Sequence, residues 1–501
     1  MSKSLYFFLA VVLFLVLWSL NKGFDISDEG LYSMMTLPQQ ENDLGLFNYD
    51  LFFQVIYLIS KKSFSLVELR ILRLLGYFLG AFALLRFLKS QRVSPFSDIE
   101  SFSILLIFLT GGYAFLPASL SYNSLLVVFS SIWLWILFST GFKGLGKGLG
   151  LGIILAFIFY VKFPVAVLLF LLTGLFLWLQ NQANWRNWIL IPVPFCLFEG
   201  IFWFITDENA SIRLWRNLNV YQLRPGYSLD LVLKSPLVGV FWILGAIGIG
   251  WVLAKTYKSR TGIYYPILGL VCISFVSLIF WTHITQEWNH VLLLAWAGMS
   301  AFELGKRKTQ LSLDPVFWLL VLLPFILHFG SNVYWLRIGI HYLVFWILAA
   351  WYAGFLHSKI ITSSAAVLVL LIFIGLVAQP FQQVPLWRQN QTWNIPSNSR
   401  LQLDSELVQI LEKLQPKLVE QDEILCLYRN PGFAYLLGKR IPRHPVYWEV
   451  DPTKSSFPIE FEGPVLWYSR DDFEVPETLK NWEIEEIGMY QDYPVRLLWK
   501  R

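Results

Sequence analysis

From residue 5 to about residue 378 the chain repeats one pattern: an apolar run, a short polar or basic break, then another apolar run. Unbroken runs of this kind predict helices that bury every face or meet lipid; half-buried strands would alternate instead. About thirteen runs have this character, at 5–20, 71–88, 102–117, 124–139, 149–161, 163–180, 188–205, 236–254, 263–281, 291–303, 314–329, 338–356 and 360–378. Several fall short of the roughly 20 residues a hydrocarbon core asks for, which leaves about 11–13 transmembrane helices. The runs 149–161 and 163–180 are parted only by the neighbourhood of Lys162 and Pro164.

The longer breaks predict elements of their own. Within 21–70, the stretch Tyr49-Asp-Leu-Phe-Phe-Gln-Val-Ile-Tyr-Leu-Ile59 is apolar but too short to cross. It reads as a helix lying in the interface, with Lys61 and Lys62 at its end. Ser65-Leu-Val-Glu-Leu-Arg70 then leads into the second span. The break 206–235 mixes Asp207, Glu208, Arg213, Arg216, Arg224 and Asp230 with Trp215, Tyr221 and Tyr227, around a turn at Pro225-Gly226. After Val377, Pro380, Pro385 and Pro396 with Gln and Asn between them mark 381–399 as a linker. Beyond it, Asp404 heads a helix whose Leu407, Ile410, Leu411 and Leu414 fall at helical spacing. Strands are expected at 423–428, 464–468, 482–487 and 495–499, with a short helix at 433–437. The predicted fold is a polytopic α-helical membrane body over 1–380 and a small extracytoplasmic α/β domain over 400–501.

Charge adds an orientation. The short breaks carry Arg86, Lys89 and Arg92; Lys143 and Lys147; Arg186; Lys255, Lys258 and Arg260; Lys306, Arg307 and Lys308; and Lys359, with Lys3 ahead of the first run. Basic residues in short breaks with few acids mark the cytoplasmic side. The N-terminus is therefore expected inside a plasma (inner) membrane, and the long breaks and the C-terminal domain outside it. Trp18-Ser-Leu-Asn-Lys22 offers no small-residue cleavage site, so the first run is expected to stay as an anchor. With 56% hydrophobic and 15% charged residues, the composition excludes an ordinary soluble enzyme. The net charge of +5 belongs mostly to the cytoplasmic breaks and calls for no nucleic-acid partner. Cys196, Cys272 and Cys426 give no disulfide framework.

The candidate chemistry begins just past the first run, with Asp25, Asp28 and Glu29 in Phe24-Asp-Ile-Ser-Asp-Glu-Gly-Leu-Tyr32. Acids where a chain leaves the bilayer are poor packing material, but reduced dielectric raises their proton affinity and suits one of them to act as a base. The plain alternative is a solvated acidic turn. Lys162, in Phe159-Tyr-Val-Lys-Phe-Pro164, is costly in apolar surroundings unless it is paired, faces a polar cavity or snorkels. Arg213, Arg216 and Arg224 fit a phosphate, or salt bridges with Asp207, Glu208 and Asp230. His290, in Gln286-Glu-Trp-Asn-His290, suits a phosphate donor or a helix anchor, and Asn123, in Pro117-Ala-Ser-Leu-Ser-Tyr-Asn123, a polar contact or a helix cap. A Gly-rich phosphate loop, zinc-ligand spacing and a nucleophile elbow are all missing from the sequence.

In their order these elements resemble the polytopic GT-C glycosyltransferases that use polyprenyl-phosphate sugars, among them the bacterial dolichyl-phosphate-mannose-protein-mannosyltransferase-like and aminoarabinose-transferase-like members. The resemblance runs from Ser27-Asp-Glu-Gly-Leu-Tyr32 through the interfacial helix, Leu69-Arg70, Tyr122-Asn123, Lys162-Phe-Pro164 and His290-Val-Leu-Leu to the terminal α/β domain. Leu427-Tyr-Arg-Asn-Pro-Gly-Phe-Ala-Tyr-Leu-Leu-Gly438 also looks like tails of bacterial members. One departure is Phe47-Asn-Tyr-Asp50, where many relatives carry a Pro-containing motif. The resemblance implies an inverting transfer at the outer face, with Asp28 as base, Glu29 positioning it and Asp25 as the other candidate base. Lys162, His290 and one of Arg213, Arg216 or Arg224 would hold the phosphate, and Asn123 and Arg70 complete the substrate-binding set. The partners would be a polyprenyl-phosphate-linked sugar and a lipid, glycan or protein acceptor. No cofactor is required; a divalent ion on Asp28 and Glu29 suits hard oxygen ligands, but the cations make it unnecessary. Two rival readings are a transporter or flippase of a lipid-linked sugar and a non-catalytic membrane scaffold. Transporters place ionisable groups at mid-bilayer and repeat their halves, whereas here those groups gather at one face and the halves do not match.

Overall fold

The computed structural model describes residues 2–45, 47–93, 96–115, 117–142, 144–182, 185–222, 229–259, 262–285, 288–306, 314–381, 383–396, 399–448, 461–470 and 479–500. Its helical body runs α1 (Ser2–Ser19), α2 (Asp28–Met35), α3 (Asp50–Ser60), α4 (Leu66–Gln91), α5 (Asp98–Leu109), α6 (Tyr122–Phe138), α7 (Gly144–Leu179), α8 (Trp185–Leu190), α9 (Val193–Thr206), α10 (Ala210–Gln222), α11 (Leu229–Ser259), α12 (Tyr264–Thr285), α13 (Asn289–Lys306), α14 (Pro315–His328), α15 (Trp335–Ile338), α16 (Leu343–Tyr352) and α17 (Ser358–Ile372). Among the described residues seven helical stretches are long and apolar enough to cross a membrane, and Lys3–Ser19, Asp50–Ser60, Tyr122–Phe138 and Pro315–His328 are apolar but shorter. Large apolar side chains stand outward on α9, α11 and α12, Phe204, Phe241 and Val276 among them. Such a surface has its natural solvent in lipid. The molecule is a polytopic helical membrane protein, as its hydrophobic pattern predicts.

The paired runs 149–161 and 163–180 fall in one 36-residue element, α7, broken at Lys162 (φ −160°, ψ 92°) with Pro164 just beyond. Lys147 Nζ donates to Gln182 Oε1 (2.7 Å) and lies 3.4 Å from Gln180 Oε1. A straight helix would hold those residues about 50 Å apart. The chain therefore reverses at Lys162, and α7 is a hairpin of two antiparallel arms with Lys162 at its tip. The run 188–205, by contrast, is interrupted, with α8 and α9 meeting at a turn.

The C-terminal part contains β1 (Gln391–Ile395), β2 (Ser399–Leu403), α18 (Ser405–Leu414), β3 (Leu425–Leu427), α19 (Gly432–Leu437), β4 (Val465–Tyr468), β5 (Glu483–Tyr490) and β6 (Tyr493–Trp499). Asp404 caps α18 by accepting from Leu407 N (2.9 Å). A four-stranded sheet has the order β3-β4-β6-β5, with β3 and β4 parallel and the other pairs antiparallel. The expected linker 381–399 is not plain linker: it holds β1, which pairs antiparallel with β2. Nor is the domain self-contained. Its apolar core takes in Phe24, Ile26, Met34 and Leu66 from the first long break of the body. That shared core brings the acidic stretch and the tail together.

Candidate active site

The acidic stretch after α1 starts α2 with its own side chains. The Asp25 carboxylate accepts from the backbone N–H groups of Ser27 (2.9 Å), Asp28 (3.1 Å) and Glu29 (3.4 Å). Free N–H groups and the helix dipole both favour an anion at that end. The side chain is buried. Burial, reinforced by the charges of Asp28 and Glu29, holds its proton affinity well above the ordinary carboxylate range. Of the two candidate bases, Asp25 is the one already occupied, as a helix cap.

Glu29 is buried as well and forms a bidentate pair with Arg70, Nε to Oε1 at 3.0 Å and Nη2 to Oε2 at 2.7 Å. The remaining Arg70 donors go to the carbonyls of Ser19 (3.1 Å), Leu20 (3.0 Å), Lys22 (2.9 Å) and Gly23 (2.7 Å). Arg70, expected among the substrate-binding residues, thus has no donor left for a substrate. It bolts the end of α1 to α4 and to α2. A cleft of about 400 Å³, solvent at its mouth included, lies beside this bolt, lined by Asp25, Glu29 and Arg70 and by Tyr113, Leu376 and Phe381.

Asp28 differs from both neighbours. It is half-buried, and among the described residues no hydrogen bond or ion pair engages its carboxylate. Burial pushes its proton affinity up to about 6, against the opposing field of Arg429. The cation that reaches Asp28 therefore comes from the C-terminal domain and is not among the expected site residues. Its loop is nailed to α2: Gly432 N donates to Ile26 O (2.8 Å), and Phe24 stacks on Tyr435 at 5.6 Å. A Cβ on Gly30 would lie 2.5 Å from Gly432 N, so this approach requires glycine. The available signal for Arg429 was its position just ahead of the Asn430-Pro431-Gly432 turn.

From Asp28 an aromatic wall leads toward Lys162. Tyr32 sits one turn along α2, on the same face as Asp28. Its ring lies 6.1 Å from that of Tyr122 and 6.3 Å from that of Phe47, and Phe47 stacks on Tyr122 at 4.9 Å. Lys162 Nζ stands 5.5 Å over Tyr122. Lys162 is buried and donates to the carbonyls of Leu327 (3.2 Å) and His328 (3.0 Å) at the end of α14. A lysine has three N–H groups, so one remains on the Tyr122 side. Gly330, in the left-handed region (φ +81°), lets the loop after α14 close onto the hairpin tip; a Cβ there would meet Pro164 Cγ at 3.1 Å. The loop 329–334 has Lys162 at its start and His290 at its end, where the buried His290 ring meets Tyr334 edge-on at 5.5 Å. Asn123 does not cap α6. Ser121 does, in a box with Ser124, and Asn123 Oδ1 accepts from Tyr342 OH at 2.7 Å.

The arginines of 206–235 are placed differently from the phosphate-binding expectation. Arg213 is buried and pairs with Asp50 (2.9 and 2.8 Å) and with Glu208 (2.7 Å). Glu208 is one of the acids expected to pair there, and Asp50 had not been foreseen as a partner. Arg216 is exposed, 3.1 Å from Glu208 and 3.6 Å from Asp43. Arg224 lies outside the described residues. Among the described residues no group of three or more His, Cys, Asp or Glu side chains is arranged to hold a metal ion.

No protein-family model and no curated protein matches this chain. Among solved structures it is similar to the crystal structure of ArnT from Cupriavidus metallidurans bound to undecaprenyl phosphate, with a TM-score of 0.39 and 10% sequence identity. The superposition covers 98% of this chain and 97% of that one.

Proposed function

We propose that the protein transfers a sugar from a polyprenyl-phosphate donor to a hydroxyl acceptor, with inversion, at the non-cytoplasmic face of the inner membrane. Asp28 is the general base of this reading. One observation carries it. Asp25, Glu29 and Asp50 are consumed by backbone N–H groups or arginines, whereas among the described residues no hydrogen bond or ion pair engages the Asp28 carboxylate. Its proton affinity near 6 suits a base that must be ionised at neutral pH yet still accept a proton.

In the reaction an Asp28 oxygen takes the proton of the acceptor hydroxyl as that oxygen attacks the anomeric carbon. The bond from that carbon to the phosphate oxygen breaks on the opposite side, and the electron pair leaves with the polyprenyl phosphate. Lys162, with His290 beyond it, supplies positive charge for the departing phosphate. The donor's tail lies along the apolar helices, and Glu29 with Arg70 fixes the angle at which α2 presents Asp28. Arg213 is spent on Asp50 and Glu208, so its part is to hold α10 in place.

The test is mass spectrometry of glycolipids and glycans from membranes carrying the wild type or Asp28→Asn. The variant is expected to lose transfer by roughly 10²–10⁴-fold while still binding donor. Undiminished transfer would remove Asp28 from the role of base, and lipid flipping without any transfer would favour a transporter.

A further inference from the structure

We propose that the C-terminal domain lends this site its acceptor-recognition residue: Arg429 grips an anionic group, phosphate or carboxylate, on the molecule whose hydroxyl Asp28 activates. The inference rests on the transferase reading and names the substrate class of that site.

Three observations carry it. First, the Arg429 guanidinium has no carboxylate partner among the described residues. By contrast Arg70, Arg213, Arg216 and Arg440 each have one. Second, its loop is held in a backbone that side-chain-bearing residues rarely adopt: Tyr428 and Arg429 are both left-handed, at φ 58° and 63°. Asn430 Nδ2 pins the strained pair by donating to Tyr428 O (2.6 Å) and Tyr468 O (2.7 Å). Strain of this kind persists where the surroundings over-determine it, commonly at ligand clamps. Third, the guanidinium lies over the rings of Tyr428 (5.5 Å) and Trp448 (5.9 Å), which restrict it while leaving its N–H fork open.

Position selects the acceptor over the donor. Arg429 comes near Asp28 because Gly432, three residues further along its loop, is hydrogen-bonded to Ile26 and packed on Gly30. Lys162 and the apolar helices that suit a polyprenyl tail lie beyond the Tyr32–Tyr122 wall. A planar fork on the domain side fits a phosphate or carboxylate bidentately. The groups around Asp28 are then Asp25, Glu29 with its Arg70, and Arg429.

The test uses the full-length protein in lipid nanodiscs and inorganic phosphate as probe. Carbodiimide couples an amine to protonated carboxyls, so peptide mass spectrometry of Asp28 labelling against pH reads its protonation midpoint. Phosphate on Arg429 cancels the nearby positive charge, so the wild-type midpoint is expected to rise by about half a pH unit or more. Arg429→Ala starts from the raised midpoint and ignores phosphate; Arg429→Lys keeps a smaller response. A wild-type midpoint indifferent to phosphate, or an Arg429→Ala variant that responds like wild type, overturns the proposal. In membranes, Arg429→Ala is expected to lower transfer to acceptors retained on an anion exchanger roughly ten- to a hundredfold. Undiminished transfer to that fraction also overturns it. If phosphate moves the midpoint but wild-type membranes form no glycosyl product, the transferase reading falls and the acceptor assignment falls with it, leaving only an anion site.

Discussion

Two carboxylates one residue apart on α2 meet arginines in opposite ways. Glu29 faces the helical body and is closed: buried, chelated by Arg70, with every remaining donor of that arginine on a carbonyl. Asp28 is open, with Arg429 of the C-terminal domain near enough to act on it but, among the described residues, bonded to no carboxylate. A closed pair fixes the angle of an element and has nothing to give a ligand. An open pair is poorly explained as packing, because Asp28 is half-buried with no bonded partner among the described residues while Arg429 stays exposed to solvent. The contrast separates what builds the site from what works in it. Asp50 with Arg213 is of the closed kind.

The contrast can be broken at several points. Arg70→Ala leaves Glu29 buried without a cationic partner and is expected to cost about 3–5 kcal/mol, read as a lower thermal midpoint in detergent. Pairing it with Glu29→Leu should restore much of the loss, and an unchanged midpoint in the single variant would deny that the pair is a bolt. Gly30→Ala comes next. Its methyl meets the Gly432 backbone, which cannot rotate aside, so a loss of about 1–3 kcal/mol is expected together with reduced transfer. Acidification sharpens the open side. A base raised to about 6 is ionised above that pH and protonates below it, so transfer should fall about tenfold per pH unit under 6. A rate flat down to pH 4 would exclude Asp28. Arg216→Ala should do least: its ion pairs are exposed, so stability should move by less than about 1 kcal/mol.

The apolar runs and the domain's elements were legible because hydrophobic period and length report burial directly. Even the split at Lys162 was legible, although only the Lys147–Gln182 contact reveals that the chain turns back there. The helix α2 was not legible. Eight residues interrupted by Gly30 carry little periodicity, and the cap lies three residues ahead of the first helical residue, at Asp25 rather than at Ser27. The pairing of Arg213 with Asp50 spans 163 residues, so no local rule reaches it. The hairpin β1–β2 did leave a trace: Trp393, Ile395, Leu401 and Leu403 alternate with exposed or half-buried neighbours, but the surrounding Pro, Gln and Asn masked it. Asp28 was readable as an acid in a telling place. Its distinction from Asp25 and Glu29 depends on which N–H groups and which arginine each one meets, and only the fold decides that.

The segment leaving α1 is stitched to β2. Gly23 N donates to Gln402 O (2.9 Å), Gln402 N to Asn21 O (2.8 Å), and Lys22 Nζ to Gln402 Oε1 (2.6 Å), across 380 positions of chain. During translation Asp28 is made well before the strand that steadies its surroundings, with α3 to α17 of the body threaded into place between them. Ordering so distant a contact is slow, so a nascent protein carries its carboxylates unassembled until that strand has been made. The acidic stretch thus takes its final surroundings late, when the helices between the two partners already stand.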